Sequence, residues 1–241
     1  VNLVPGVSSL FGLRTDLQFG KLKLQTVVSQ KKSASTSVSS KGGSQTHPFE
    51  FSATNYDENR HFFLSHFFRE QFDKNMRTLP TIASGITIKR VEIWVTNKSG
   101  NNESNRNIIA LADLGETTHI SNKLWTATGV QVPSNRSNSQ YDEMVNSYSE
   151  ARDIAQATTI LDGISGFEGS VDYEKLQSAR KLSSSEFTLN TSLGYVSLNS
   201  TLQPDDVLAV AYEYTYGGVA YQVGEFSSDL SNNKQALFVK L

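Results

Sequence analysis

Val207-Leu208-Ala209-Val210-Ala211-Tyr212-Glu213-Tyr214-Thr215-Tyr216 and Val219-Ala220-Tyr221-Gln222-Val223-Gly224-Glu225-Phe226 flank a Gly217-Gly218 pair. β-Branched and aromatic residues alternate with small or polar ones on both sides. Glycine accepts the positive φ of a tight primed turn, so the stretch predicts a β-hairpin. A two-residue turn pairs Tyr216 with Val219, Tyr214 with Tyr221 and Tyr212 with Val223. The tyrosines then share one face, while Thr215, Glu213, Ala220 and Gln222 make the other small and polar. Alternating Tyr, Val and Ala suits a sheet face packed on the domain's own helix. Tyr212, Tyr214, Tyr216 and Tyr221 also suit stacking on sugars or a peptide, which makes them a candidate interaction surface.

A helix able to cover such a face is predicted over about 58–76. Five of the thirteen phenylalanines lie between 62 and 72. At about 100° per residue, Phe63, Phe67, Leu64, Phe68 and Phe72 fill roughly half the circumference. Ser65, Arg69, Asp73, His66 and Glu70 take most of the rest. Asp57 is placed to cap the first turn, and Glu58 to sit against the helix dipole. Phe63, Phe67 and Phe68 are therefore expected in the core, together with Trp94 from the β-branched run Ile86–Thr96.

The other elements are read from spacing. Arg106–Leu114 is the expected return strand, antiparallel to Ile86–Thr96, across a loop at 97–107. Two short helices are expected within 142–161 and another from Asp172, with Leu176, Ala179 and Leu182 at helical spacing. The last third reads as β: Phe187–Leu189, Leu193–Leu198, the tyrosine hairpin, and a strand from Gln235 to Leu241. The fold class is α+β, mainly antiparallel, with helices packed on one side of the sheet.

A second hairpin opens the chain. Leu13, Thr15, Leu17 and Phe19 alternate with Arg14, Asp16 and Gln18. After Gly20-Lys21, Leu22, Leu24, Thr26 and Val28 alternate with Lys23, Gln25 and Val27. One face becomes apolar. Strands of this length joined by so short a turn fit the wall of a membrane β-barrel. They equally fit a half-buried soluble hairpin. Residues 29–46 hold seven serines and Lys31, Lys32 and Lys41, a polar linker or a long solvated strand pair. The organisation predicted is a hairpin at 1–30, a Ser-rich linker at 31–47, and an α+β domain at 48–241 that the chain's end cuts short.

Chemistry is sparse. No cysteine is present, so thiolate catalysis, Cys-zinc sites and disulfides drop out together. The histidines are His47, His61, His66 and His119. His61 and His66 are badly spaced for a zinc pair on a helix. Gly163-Ile164-Ser165-Gly166-Phe167 approaches a nucleophile elbow but lacks the last glycine and a preceding strand. Gly163, Gly166 and Gly169 make no dinucleotide fingerprint. Asp113 and Glu116 could serve calcium or acid–base work, though a turn at a strand end explains them better. Asp205-Asp206 after Pro204 reads as a turn. No catalytic, cofactor or metal residue is therefore predicted, and the chain is expected not to be an enzyme. A net charge of −2 gives no support for a nucleic-acid partner. No apolar run is long enough for a transmembrane helix. Val1–Gly6 lacks the pattern of a signal peptide, so any export signal is expected upstream.

Several segments together carry a resemblance. Gln18–Leu22, Tyr56–Arg69, Arg90–Asn97, Arg106–Glu116 and Tyr221–Phe226, in that order, resemble the SprA/Sov family. Those are giant outer-membrane proteins of gliding motility and type IX secretion in Bacteroidetes-type bacteria. The resemblance covers most of the chain and is weakest at 131–165. It implies an internal fragment of a much longer protein-conducting channel that exports folded cargo. The implied partners are the remainder of the same chain, other secretion-system proteins, the cargo and the outer membrane. No catalytic residues carry over. The domain is expected on the extracellular side, with the periplasmic side as the alternative. A secreted adhesin or carbohydrate-binding module built on the tyrosine face is the competing expectation, and a hydrolase ranks below both.

Overall fold

The opening hairpin forms in the expected register. β1 (Ser9–Phe19) and β2 (Leu22–Lys32) pair antiparallel, with Phe19 opposite Leu22, Leu17 opposite Leu24, Thr15 opposite Thr26 and Leu13 opposite Val28. Gly20 takes φ 60°, the left-handed value a tight hairpin turn requires. The pairing runs to Lys32, two residues beyond the expected end. The computed structural model describes residues 9–32, 52, 57–98, 100 and 104–241. Most of the Ser-rich linker, and His47, lie outside them. The chain divides into two compact units, residues 1–52 and 53–241.

The second unit is built on a closed ring of five strands. Besides β3 (His61–Phe63), it contains β4 (Ile86–Val95), β5 (Arg106–Leu111), β6 (Tyr173–Lys181), β7 (Phe187–Asn190), β8 (Tyr195–Leu198), β9 (Leu208–Tyr216), β10 (Val219–Val223) and β11 (Leu237–Lys240). Pairing runs β9-β11-β5-β6-β4, and β4 returns to β9. All ring pairs are antiparallel except β11 with β5, which is parallel. β10 adds to β9 outside the ring, and β3, β8 and β7 make a separate three-stranded sheet.

Closure leaves each ring strand with an inner and an outer face. The inner faces contribute Trp94, Ile108, Ala110, Leu176, Ala179, Ala209, Ala211, Leu237 and Val239, all buried in one cluster. Large and small side chains alternate there, as the narrow interior of a small barrel requires. The outer faces contribute Ile93, Ile109, Leu111, Tyr212 and Phe238 to a second cluster. Onto that cluster pack α1 (His66–Met76), α2 (Gln140–Asn146), a 3₁₀ turn (Ser149–Arg152) and α3 (Ala157–Asp162). The α+β class stands. The sheet has closed on itself, so its strands are buried on both faces.

Three local readings change. The segment 58–76 is not one helix. Asn59 takes φ 55°, which no α-helix contains, and residues 61–63 form a strand against β8. Asp57, expected to cap a helix, instead accepts hydrogen bonds from Arg60 at 3.1 and 3.2 Å. Backbone pairing overrides the helical spacing here: Leu198 donates to the Arg60 carbonyl and Leu64 to that of Gly194. The segment from Tyr173 is likewise a strand, not a helix. Tyr173, Leu176 and Ala179 are buried at helical spacing for another reason. Tyr173 faces the outer cluster and Leu176 the ring interior. A bulge then inserts one residue, with Ser178 at φ 54°, and returns Ala179 to the interior. Finally, β5 pairs with β6 and β11, not with β4.

Candidate functional site

The expected core residues divide. Phe68 and Trp94 are buried. Phe68 packs edge-on against Tyr212 and Tyr214, with ring centroids 5.8 and 5.4 Å away, and a Cβ on Gly194 would run into its ring. Phe67 is half-buried, and Phe63 is 37% exposed. The correction at Phe63 follows from the strand. β3 borders only β8, so Phe63 is covered by the edges of Phe72 and Tyr195, at 5.5 and 5.9 Å.

The tyrosine face divides as well. Tyr212 and Tyr214 are fully buried, and the Tyr214 hydroxyl donates to the Pro133 carbonyl at 2.8 Å. Burial pushes both phenols well above their ordinary pKa. Neither can present a ring to a sugar or a peptide. Tyr221 is half-buried and stacked on Tyr214 at 5.5 Å, while Tyr216 keeps 38% exposure. The four residues therefore do not form one platform.

The polar residues weighed for chemistry are engaged in the fold. Asp113 accepts the backbone N–H groups of Ser121 and Asn122, each at 2.8 Å. Glu116 pairs with Lys240 at 2.8 Å, and Gly115 between them takes φ 73° in the turn. Asp205 and Asp206 hold Lys98 at 2.6 and 2.8 Å. His61 bridges Asp57 and its cross-strand neighbour Ser197. The His66 and His119 rings lie 4.7 Å apart, and His119 meets Glu70. Among the described residues, no group of three His, Cys, Asp or Glu side chains could hold a metal ion. Ser165 falls in the turn after α3, with Phe167 buried against Tyr173 and Trp125.

Two charged constellations escaped the sequence reading. Glu225 takes a bidentate grip from Arg152, at 2.8 and 2.6 Å, and also accepts from the Tyr141 hydroxyl and the Phe238 amide. This buried staple ties the helical layer to the ring. Burial alone would lower the Arg152 pKa, but the Glu225 carboxylate outweighs it and the pKa rises. The second constellation lies where β4 and β6 end and β5 and β11 begin. Glu92 accepts from Lys181 at 2.7 Å, from Arg90 at 3.0 Å and from the Ser227 amide at 2.7 Å. Burial would raise its pKa, but Lys181 and Ser227 more than offset this and hold the carboxyl below its usual range. Strand parity was the available signal: Glu92 shares the inner face with Trp94, and Arg106 with Ile108.

In the first unit, Leu17, Leu22, Leu24 and Val28 line one face of the hairpin and remain exposed. The chain matches the SprA_N family, described as a motility related/secretion protein, over residues 6–201. The chain belongs to this family. A comparison with curated proteins returns no match. The SprA_N match begins ahead of β1 and runs through β8, so it takes in the hairpin and most of the ring domain. β9 and β11, which close the ring, follow it. The matched span therefore stops short of the strands that close the ring. Among the described residues no helix is long and apolar enough to cross a membrane, which leaves strands free to do so.

Proposed function

We propose that this chain is a non-catalytic part of a giant outer-membrane protein-conducting channel of type IX secretion and gliding motility. The β1–β2 hairpin contributes to the channel wall. The ring domain is a cap or wall support on the extracellular side. Its partners are the rest of the channel, other secretion components and the folded proteins that pass through. Family membership supports the motility and secretion theme. The observation that carries the channel reading is the hairpin. Leu22, Leu24 and Val28 are 66, 52 and 64% exposed along one face of an in-register, short-turned strand pair. Apolar side chains in such a row lose most by facing water and least by facing lipid. The turn at Gly20-Lys21 is short, and short turns face the periplasm in bacterial barrels, so the chain leaving β2 emerges outside.

The chain has no cysteine of its own, so none of its residues competes with a single replacement for the reagent. In the parent protein on whole cells, cysteines at 22 to 28 are challenged with a lipid-soluble and a water-soluble maleimide. Positions 22, 24 and 28 should favour the first reagent and 23 and 25 the second. Uniform aqueous labelling would remove the hairpin from the wall. A tag inserted at Asn101-Asn102 should be reached by antibody on intact cells. Labelling that needs a permeabilised outer membrane would place the domain in the periplasm.

A further inference from the structure

The end of the ring where Glu92 lies opens into a cleft of about 540 Å³. Its walls carry Arg106 from the start of β5 and Arg180 and Lys181 from the end of β6. Two carboxylates neutralise part of this charge. Glu92 takes Lys181 and Arg90, and Glu186 takes Arg180 at 2.7 Å. Arg106 is left over. It is 6% exposed, and its described partners are neutral oxygens: the Ser227 carbonyl at 3.1 Å, Asn233 Oδ1 at 2.8 Å and the Asn232 carbonyl at 3.4 Å. Its Nε–H is buried with no acceptor among the described residues. A buried guanidinium ordinarily faces a carboxylate or phosphate that takes two parallel hydrogen bonds. Counting Arg90, Arg106, Arg180 and Lys181 against Glu92 and Glu186, cations exceed carboxylates by two among the described residues, in a chain whose net charge is −2.

We propose that this cleft binds the carboxylate of a peptide, an acidic side chain or a free C-terminus, against Arg106. Arg90, Arg180 and Lys181 already face Glu92 or Glu186, and Arg106 alone of the four lacks a carboxylate among the described residues, so the open position suits one negative charge. A planar carboxylate matches the edge of a guanidinium. The rim offers Ser183, Ser227 and Asn233, hydroxyl and amide groups suited to a peptide backbone. The site lies wholly within the ring domain, so it stands whether or not the hairpin faces lipid.

The 241-residue chain, labelled with ¹⁵N-arginine, is titrated with acetyl-Gly-Ser-Glu-amide, acetyl-Gly-Ser-Gly with a free C-terminus, its amide, and inorganic phosphate. The Arg106 Nε–H signal, assigned by its loss in Arg106→Lys, should shift and saturate with the carboxylate peptides. The fully amidated peptide should leave it in place, and phosphate should bind more weakly. Arg180→Gln lies at the rim and should weaken binding roughly 2–5-fold; it also decides the matter if Arg106→Lys does not fold. No shift with any carboxylate, tighter binding of phosphate, or equal binding by Arg180→Gln would overturn the proposal. So would a Glu103→Gln variant, at the carboxylate three residues before Arg106 in the sequence, that loses as much thermal stability as Arg106→Lys, because the counter-charge would then come from the chain itself.

Discussion

Two hairpins in this protein obey the same rules and end in opposite surroundings. β1–β2 and β9–β10 each turn in two residues and keep a strict register, Leu17 opposite Leu24 in one and Tyr214 opposite Tyr221 in the other. Each sets apolar residues along one face. In the first, Leu24 is 52% exposed; in the second, Tyr212 and Tyr214 are fully buried. Ahead of that hairpin, β9 is buried on its other face as well, because Ala209 and Ala211 line the ring interior. Period and turn chemistry set which residues share a face. What meets that face depends on residues far away in the chain.

The largest effect should come from uncovering the tyrosine face. Phe68→Ala removes the ring wedged against Tyr212, Tyr214 and Gly194 and leaves a cavity, at a cost of about 3–5 kcal/mol in urea unfolding. Phe67→Ala, half-buried, should cost clearly less. Equal costs would mean that the two rings are equally buried in solution.

The turn comes next. Gly217 and Gly218 take φ 58° and 83°, values that cost a β-branched residue about 1–2 kcal/mol each. Gly217→Val with Gly218→Val should therefore lose about 2–4 kcal/mol or shift the strand pairing by one residue. A slip would exchange the tyrosine face for the alanine face and open the ring. Cross-strand amide NOEs between Tyr214 and Tyr221 report the native register. Their persistence at full stability would show that the turn does not set it.

Charge separates the two regions as well. On the hairpin, Arg14 and Asp16 pair in the open at 3.0 Å, a contact that salt screens. At the ring mouth Glu92 is buried with Lys181, Arg90 and Ser227. Its folded pKa lies below its ordinary 4.5, so its contribution is complete above that value and is lost as pH falls through the lower folded value. Glu92→Gln should cost about 1.5–3 kcal/mol at pH 7 and flatten the acid limb of the stability curve. An acid limb unchanged by Glu92→Gln would place the titrating group elsewhere.

The parts of the fold legible in the sequence are those fixed by neighbours. Both hairpin registers follow from alternation and a glycine in each two-residue turn, and the short helices near 142–161 from their local spacing. The strand at 61–63 was not legible, because His61-Phe62-Phe63 carries helical spacing and becomes a strand only by pairing with 195–197. Tyr173–Lys181 misled for a related reason: a bulge and two buried faces imitate a period of three. Ring closure needs β4 to meet β9 and β11 to lie parallel to β5, pairings made across more than a hundred residues. Glu92 and Arg106 look like solvated strand charges until closure turns them inward.

The smallest effect bears most directly on the channel reading. Leu24→Ser replaces an exposed apolar residue in the middle of β2, directly opposite Leu17. In the isolated chain in water the leucine is not packed in a core, so its loss should change stability by less than about 0.5 kcal/mol. Gln25→Ser, on the opposite face, should do the same. In the membrane channel proposed above the two should diverge, because only position 24 is proposed to face lipid. Heat-modifiable migration of the parent protein would then shift for Leu24→Ser and not for Gln25→Ser. A loss of 2 kcal/mol or more for Leu24→Ser in water would mean that protein, not lipid, covers this face. The two hairpins would then differ only in which part of the molecule covers them, and the wall assignment would lose its basis.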